Sequence, residues 1–147
     1  MSHRKVAGGG IAGIGSMSLA AIDYFAIVLA TVASMIVGTI WYTAFAHAWQ
    51  RAAERGEDSP QTRPDHILIV FAAELVMATV FALLLDHDAS DELGDAMAHG
   101  LAVWTGFVAT TIVVNQRFEG HRWELTVIDA GHWLMVILAQ SAVLALI

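Results

Sequence analysis

The chain has 147 residues, of which 57% are hydrophobic and only 14% charged, with a mean hydropathy of +0.63. A soluble protein carries about 25% charged residues, and a domain this small has no interior large enough to hide so much apolar surface, so a water-soluble globular fold is excluded. The net charge of −7 comes with no basic stripe to neutralise phosphates, which excludes nucleic acid as a partner. The absence of cysteine removes disulfide frameworks and thiolate metal sites.

Residues 1–22 open with Arg4 and Lys5, as a signal peptide would. Gly8, Gly9, Gly10, Gly13 and Gly15 make a poor apolar core, however, so the stretch reads as a flexible Gly-rich leader. Residues 23–147 read as one four-transmembrane-helix domain, with spans at about 24–49, 67–85, 96–116 and 125–147. Each meets the requirement of about 20 apolar residues per helical crossing. The expected fold class is all-α, an integral membrane four-helix bundle.

Arginine sets the orientation. The first connection holds Arg51, Arg55 and Arg63, and the third holds Arg117 and Arg122. The second has neither Lys nor Arg but carries Asp86, Asp88, Asp91, Glu92 and Asp95. The first and third connections are therefore predicted to be cytoplasmic and both termini to lie on the non-cytoplasmic side. The implied location is the plasma (inner) membrane, multi-pass. Two stripes of small residues suit close helix packing: Ala26, Ala30, Ser34 and Gly38 in the first span, and Ala98, Ala102, Gly106 and Thr110 in the third.

Within the second span, Glu74 is the only acid away from the ends. A charge at mid-bilayer costs roughly 2.5–3.5 kcal/mol on insertion scales, and such groups face a bundle interior or a water-filled cavity. Counting from the cytoplasmic ends at about 1.5 Å per residue places Glu74, Asp129 and His132 in the same half of the membrane as Tyr42 and Asn115. On the fourth span Asp129, His132, Trp133, Val136 and Gln140 share one face. The candidate site is thus an intramembrane polar cluster of Tyr42, Glu74, Asn115, Asp129 and His132. One reading is a cavity that binds a proton or a ligand, because a carboxyl and an imidazole can trade a proton. The other is an interhelical hydrogen bond that serves only as structure.

Glu74, Asp129 and His132 could supply three metal ligands, but no helix offers the Glu-x-x-His spacing of di-metal bundles. His99 lies beside alanine and glycine, a setting that admits a macrocycle ligand but does not specify one. No serine elbow, phosphate loop or dinucleotide fingerprint occurs. The expectation is no metal, no cofactor and no catalytic residue.

Several short pieces in fixed order carry a resemblance. They are Gly38-Thr-Ile-Trp41-Tyr42 with Trp49 after it, Trp104-Thr-Gly106-Phe107, Asn115 followed by Phe118-Glu119-Gly120, and Ala130-Gly131. From about Ala26 to the C-terminus the chain resembles the small four-helix prokaryotic membrane proteins catalogued as domain of unknown function 1761. The family pattern favours an amide and a Tyr-His pair around Ala130-Gly131, where this chain has Asp129 and His132-Trp133. The resemblance implies a fold and a membrane location and no activity.

The reading that follows is a small non-enzymatic accessory or structural subunit that packs against a larger membrane complex, such as a respiratory or photosynthetic assembly. Its partners would be the lipid bilayer and other integral membrane subunits or itself. The alternative is a small proton-coupled transporter acting as a dimer, with Glu74 as its proton site. A membrane enzyme using Glu74 and His132 as acid and base is a third, weaker reading, since acid–base work requires both within reach of one substrate.

Overall fold

A computed structural model describes residues 23–54, 64–88 and 92–147. The leader at 1–22, with Arg55, Arg63 and Asp91, lies outside the described residues. All secondary structure among the described residues is helical, and four helices are long and apolar enough to cross a membrane. The helices are α1 (Tyr24–Ala44), α2 (Ala46–Ala52), α3 (Pro64–Asp88), α4 (Leu93–Phe118) and α5 (Trp123–Leu146).

Helix α1 is started by Asp23, whose carboxylate accepts from the amides of Phe25 (2.8 Å) and Ala26 (3.2 Å), the usual N-cap satisfaction of orphan donors. Its buried face runs Ala26, Ile27, Ala30, Thr31 and Ser34. The span predicted at about 24–49 stops at Ala44. Phe45 takes φ −100° and ψ 11°, in the sparsely populated bridge region, and the chain turns into the short α2. Nothing in the apolar run announces this break. Beyond the turn the Trp49 indole donates to Asp129 at 3.0 Å.

Helix α3 begins at Pro64, three residues before the predicted start. Proline suits a first turn because its missing N–H has no helical partner there. Among the described side chains of this helix Glu74, Ala78, Phe81 and Leu85 are buried, while residues 65–70 are all exposed. The helix therefore packs through its second half. There Ile27, Ala30 and Ala78 form one apolar cluster, and Phe81, Leu85 and Ala96 form another.

Helix α4 buries Ala96 and Gly100. A Cβ on Gly100 would collide with the Ser141 hydroxyl of α5, so this glycine is what brings the two backbones together. The small residues used inside the chain are thus two positions out of phase with the predicted stripe. Ala98 and Ala102 lie about 200° around the helix from Gly100, and they, Gly106 and Thr110 are exposed. Trp104–Ala109 is a π-helical turn within α4. Gly120 closes the helix at φ +77°, with the His121 amide reaching back to the Gln116 carbonyl at 3.0 Å, a glycine-capped helix end. Helix α5 is the most buried span, lying against α1 and α4.

Candidate functional site

Of the five residues predicted to cluster, Tyr42 touches Asp129 and His132, and Tyr42, Glu74 and His132 line one cavity, whereas Asn115 stands apart. Glu74 and Asp129 stand at two levels, because the helix ends differ from those counted in the sequence. Glu74 lies about ten residues beyond Pro64, roughly 15 Å into its helix, whereas Asp129 lies about six beyond Trp123, roughly 9 Å into its own. Tyr42 is close to the end of the shortened α1.

At the deeper level Glu74 meets Ser34 and Gln140, all three essentially inaccessible to solvent. The Ser34 hydroxyl lies 2.6 Å from Glu74 Oε2 and 2.9 Å from the Thr31 carbonyl. The Gln140 amide donates to Ser34 Oγ and to the Glu74 backbone carbonyl, both at 3.2 Å. Ser34 has one hydrogen and two acceptors, so two arrangements satisfy the count. With an ionised Glu74 the hydroxyl donates to the carboxylate. With a protonated Glu74 the acid donates to Ser34, which in turn donates to Thr31. The knot ties α1, α3 and α5 at mid-height.

Nearer the arginine-bearing end, Asp129 collects three donors. Its Oδ1 accepts from the Tyr42 hydroxyl (3.2 Å) and the Trp49 indole (3.0 Å), and its Oδ2 accepts from the Gln116 amide (2.8 Å). Asn115 is exposed and the amide that reaches Asp129 is its neighbour Gln116, because one residue of rotation is about 100° of helix. The trio joins α1, α2, α4 and α5, with no cation bridged to Asp129 among the described residues.

His132 stands between the two levels, 6% exposed. Its ring packs on Tyr42 (centroids 4.6 Å apart) and Trp133 (5.0 Å). Gly38 makes room for it, since a Cβ there would come within 2.9 Å of Nε2. Its Nδ1 is buried without a hydrogen-bond partner among the described residues. Beside these polar groups, α1 and α3 part to leave a cavity of about 790 Å³, lined among others by Gly38, Tyr42, Val70, Glu74, His132 and Trp133. Among the described residues no three His, Asp or Glu side chains gather closely enough to hold a metal ion.

Two further indoles fasten the start of α5. Trp41 Nε1 donates to the Ile128 carbonyl at 3.1 Å and Trp104 Nε1 to the Ala130 carbonyl at 2.8 Å. The Trp41 ring also lies flush with Gly131, where a Cβ would approach it to 2.8 Å. A family model described as "Protein of unknown function (DUF1761)" matches residues 25–145, almost the whole described span. The chain belongs to the DUF1761 family. No curated protein and no solved structure matches it.

In this DUF1761 protein several of the short motif pieces, scattered over about a hundred residues of sequence, converge on the second and third turns of α5. Gly38 receives His132, Trp41 covers Gly131, Tyr42 and Trp49 hold Asp129, and Trp104 holds Ala130. Tryptophan roles of this kind were not legible in the sequence. The available signal was the Ala130-Gly131 pair, since a glycine within a helix marks a close approach. Ser34 and Gly38 from the predicted packing stripe serve as a hydrogen-bonding group and a ring seat, Ala30 sits in the core, and Ala102 and Gly106 touch none of this. Arg117 stacks over the Trp123 ring at 3.9 Å and donates to the Thr126 hydroxyl at 2.7 Å, closing the α4–α5 turn.

Proposed function

We propose that the protein is a non-enzymatic subunit of a larger membrane assembly, formed with other integral membrane chains or with itself. We place it in the plasma (inner) membrane with its arginine-bearing end in the cytoplasm. The observation that carries this reading is the outward face of α4. Only 6% of that helix's membrane-length window is buried, against 39% for α5. The exposed face is paved with Ala98, Ala102, Gly106 and Thr110, which allow a neighbouring backbone to approach closely. A π-helical turn, a feature often found at functional positions, falls at the same height. Arg51, Arg117 and Arg122 stand at one end of the described bundle, which supports the orientation. The opposite half is packed with apolar clusters, which disfavours a polar path across one chain.

The test is extraction of the full chain from its native membrane in a mild detergent. The expected result is migration within a larger assembly, and release as a smaller species when Ala102 and Gly106 are both changed to Leu. Migration of the wild-type chain as a lone monomer, or an assembly untouched by the double change, refutes the reading. The cavity beside Glu74 favours one second reading, a proton-coupled carrier acting as a dimer. Proton-coupled flux in vesicles that disappears on Glu74→Gln would establish it in place of the first.

A further inference from the structure

The cavity between α1 and α3 lies away from the α4 face used above and has chemistry of its own. Its lining is overwhelmingly apolar, and its volume of about 790 Å³ falls within the 300–1,000 Å³ of small-molecule sites. Exposed Thr39, Thr43, Ile67 and Val70 line it, and it reaches Ala46 and His66 at the arginine-bearing ends of α1 and α3. Two polar groups mark its floor. Glu74 has one hydroxyl contact to its carboxyl group and no cationic side chain against it among the described residues. His132, more than nine-tenths buried, also lines it.

We propose that this cavity binds a lipophilic cation, a protonated amine or onium group on an apolar body, with Glu74 as its counter-charge. The charge pattern decides the class. No Lys or Arg is among the described lining residues, where the histidines His66 and His132 are the other basic groups, so an anionic headgroup would meet the Glu74 carboxylate with no permanent cation to balance it. A cation meets the carboxylate and, beside it, the rings of Tyr42, His132 and Trp133, whose faces attract positive charge in a desolvated setting. The apolar body is covered by Met35, Ile67 and Val70.

The experiment uses the purified full chain in lipid nanodiscs and two probes of the same shape and opposite charge, tetraphenylphosphonium and tetraphenylborate. Saturable binding is followed by tryptophan fluorescence and by equilibrium dialysis. The expected result is saturable binding of tetraphenylphosphonium alone. Glu74→Gln, which retains an acceptor for Ser34, weakens it about 30-fold or more, as loss of a buried charge partner does. Val70→Trp fills the cavity without touching the Ser34–Gln140 knot and abolishes binding while circular dichroism stays native. Equal binding of the two probes, unchanged affinity in Glu74→Gln, or no saturable binding by the folded wild-type chain each overturns the proposal. None of these results bears on whether Ala102→Leu and Gly106→Leu dissolve an assembly, so the two readings fail separately.

Discussion

Gly131→Ala adds one methyl group at the place where Trp41 lies against α5. The added Cβ would stand 2.8 Å from Trp41 Cζ2 and 3.1 Å from Cη2, about 1 Å inside the 3.5–4.0 Å optimum for carbon pairs. The indole cannot simply slide away, because its Nε1 is tied to the Ile128 carbonyl at 3.1 Å and its face packs on Phe45 with centroids 4.7 Å apart. Overpacking of this kind costs about 1–3 kcal/mol, and alanine recovers about 0.8–1.0 kcal/mol of helix propensity relative to glycine. The net is a loss of about 0–2 kcal/mol. Gly106→Ala is the matched control, since nothing lies within 4 Å of a Cβ there and only the propensity gain remains. The two variants should differ by about 1–3 kcal/mol. Reversible unfolding in mild detergent, followed by helical circular dichroism, measures that difference. In a Trp41→Phe background the Gly131→Ala penalty should shrink, because the colliding ring atoms are gone. Equal stability of Gly131→Ala and Gly106→Ala, or a penalty unchanged by Trp41→Phe, refutes the packing argument.

Asp129→Ala strands the Tyr42, Trp49 and Gln116 donors, and at an average of about 0.6 kcal/mol per intramembrane hydrogen bond it should cost about 2 kcal/mol in the same unfolding assay. Gln116→Ala should lose part of that sum, whereas exposed Asn115→Ala should stay within about 0.5 kcal/mol; a larger effect at Asn115 than at Gln116 contradicts the assignment of the amide. Ser34→Ala removes the group shared by Glu74 and Gln140 and should cost about 1–2 kcal/mol, with Thr39→Ala, on the exposed face of the same helix, as the neutral comparison. Gly120→Ala should cost about 1–2 kcal/mol, the penalty for an L side chain at a left-handed φ, seen as a lowered melting temperature with no change in ligand or partner binding.

Much of the architecture was legible because it depends on quantities that add along the chain. Four runs of apolar residues suffice to indicate four membrane-length helices, since every backbone group must be satisfied within its own helix in lipid. The family resemblance lay in short words at fixed spacing, and the model match over residues 25–145 rests on the same order. Glu74 stood out for the same additive reason, as one costly charge in an apolar run.

Which groups meet was not decided at that level. The turn at Phe45 accompanies an indole reaching across to Asp129, a partner that lies about eighty residues away in sequence. The choice of Gln116 over Asn115, and of Ala96–Gly100 over Ala102–Gly106, is a matter of helix phase, which a repeat every four residues does not reveal. The separation of Glu74 from Asp129 depends on where Pro64 and Trp123 begin their helices. The sequence by itself thus determined the number, length and apolar character of the helices, because those are sums over neighbours along the chain. Only the tertiary structure decided which polar groups share a level and which small residues face inward, because a rotation of about 100° per residue and the placement of each helix end turn small local differences into different partners.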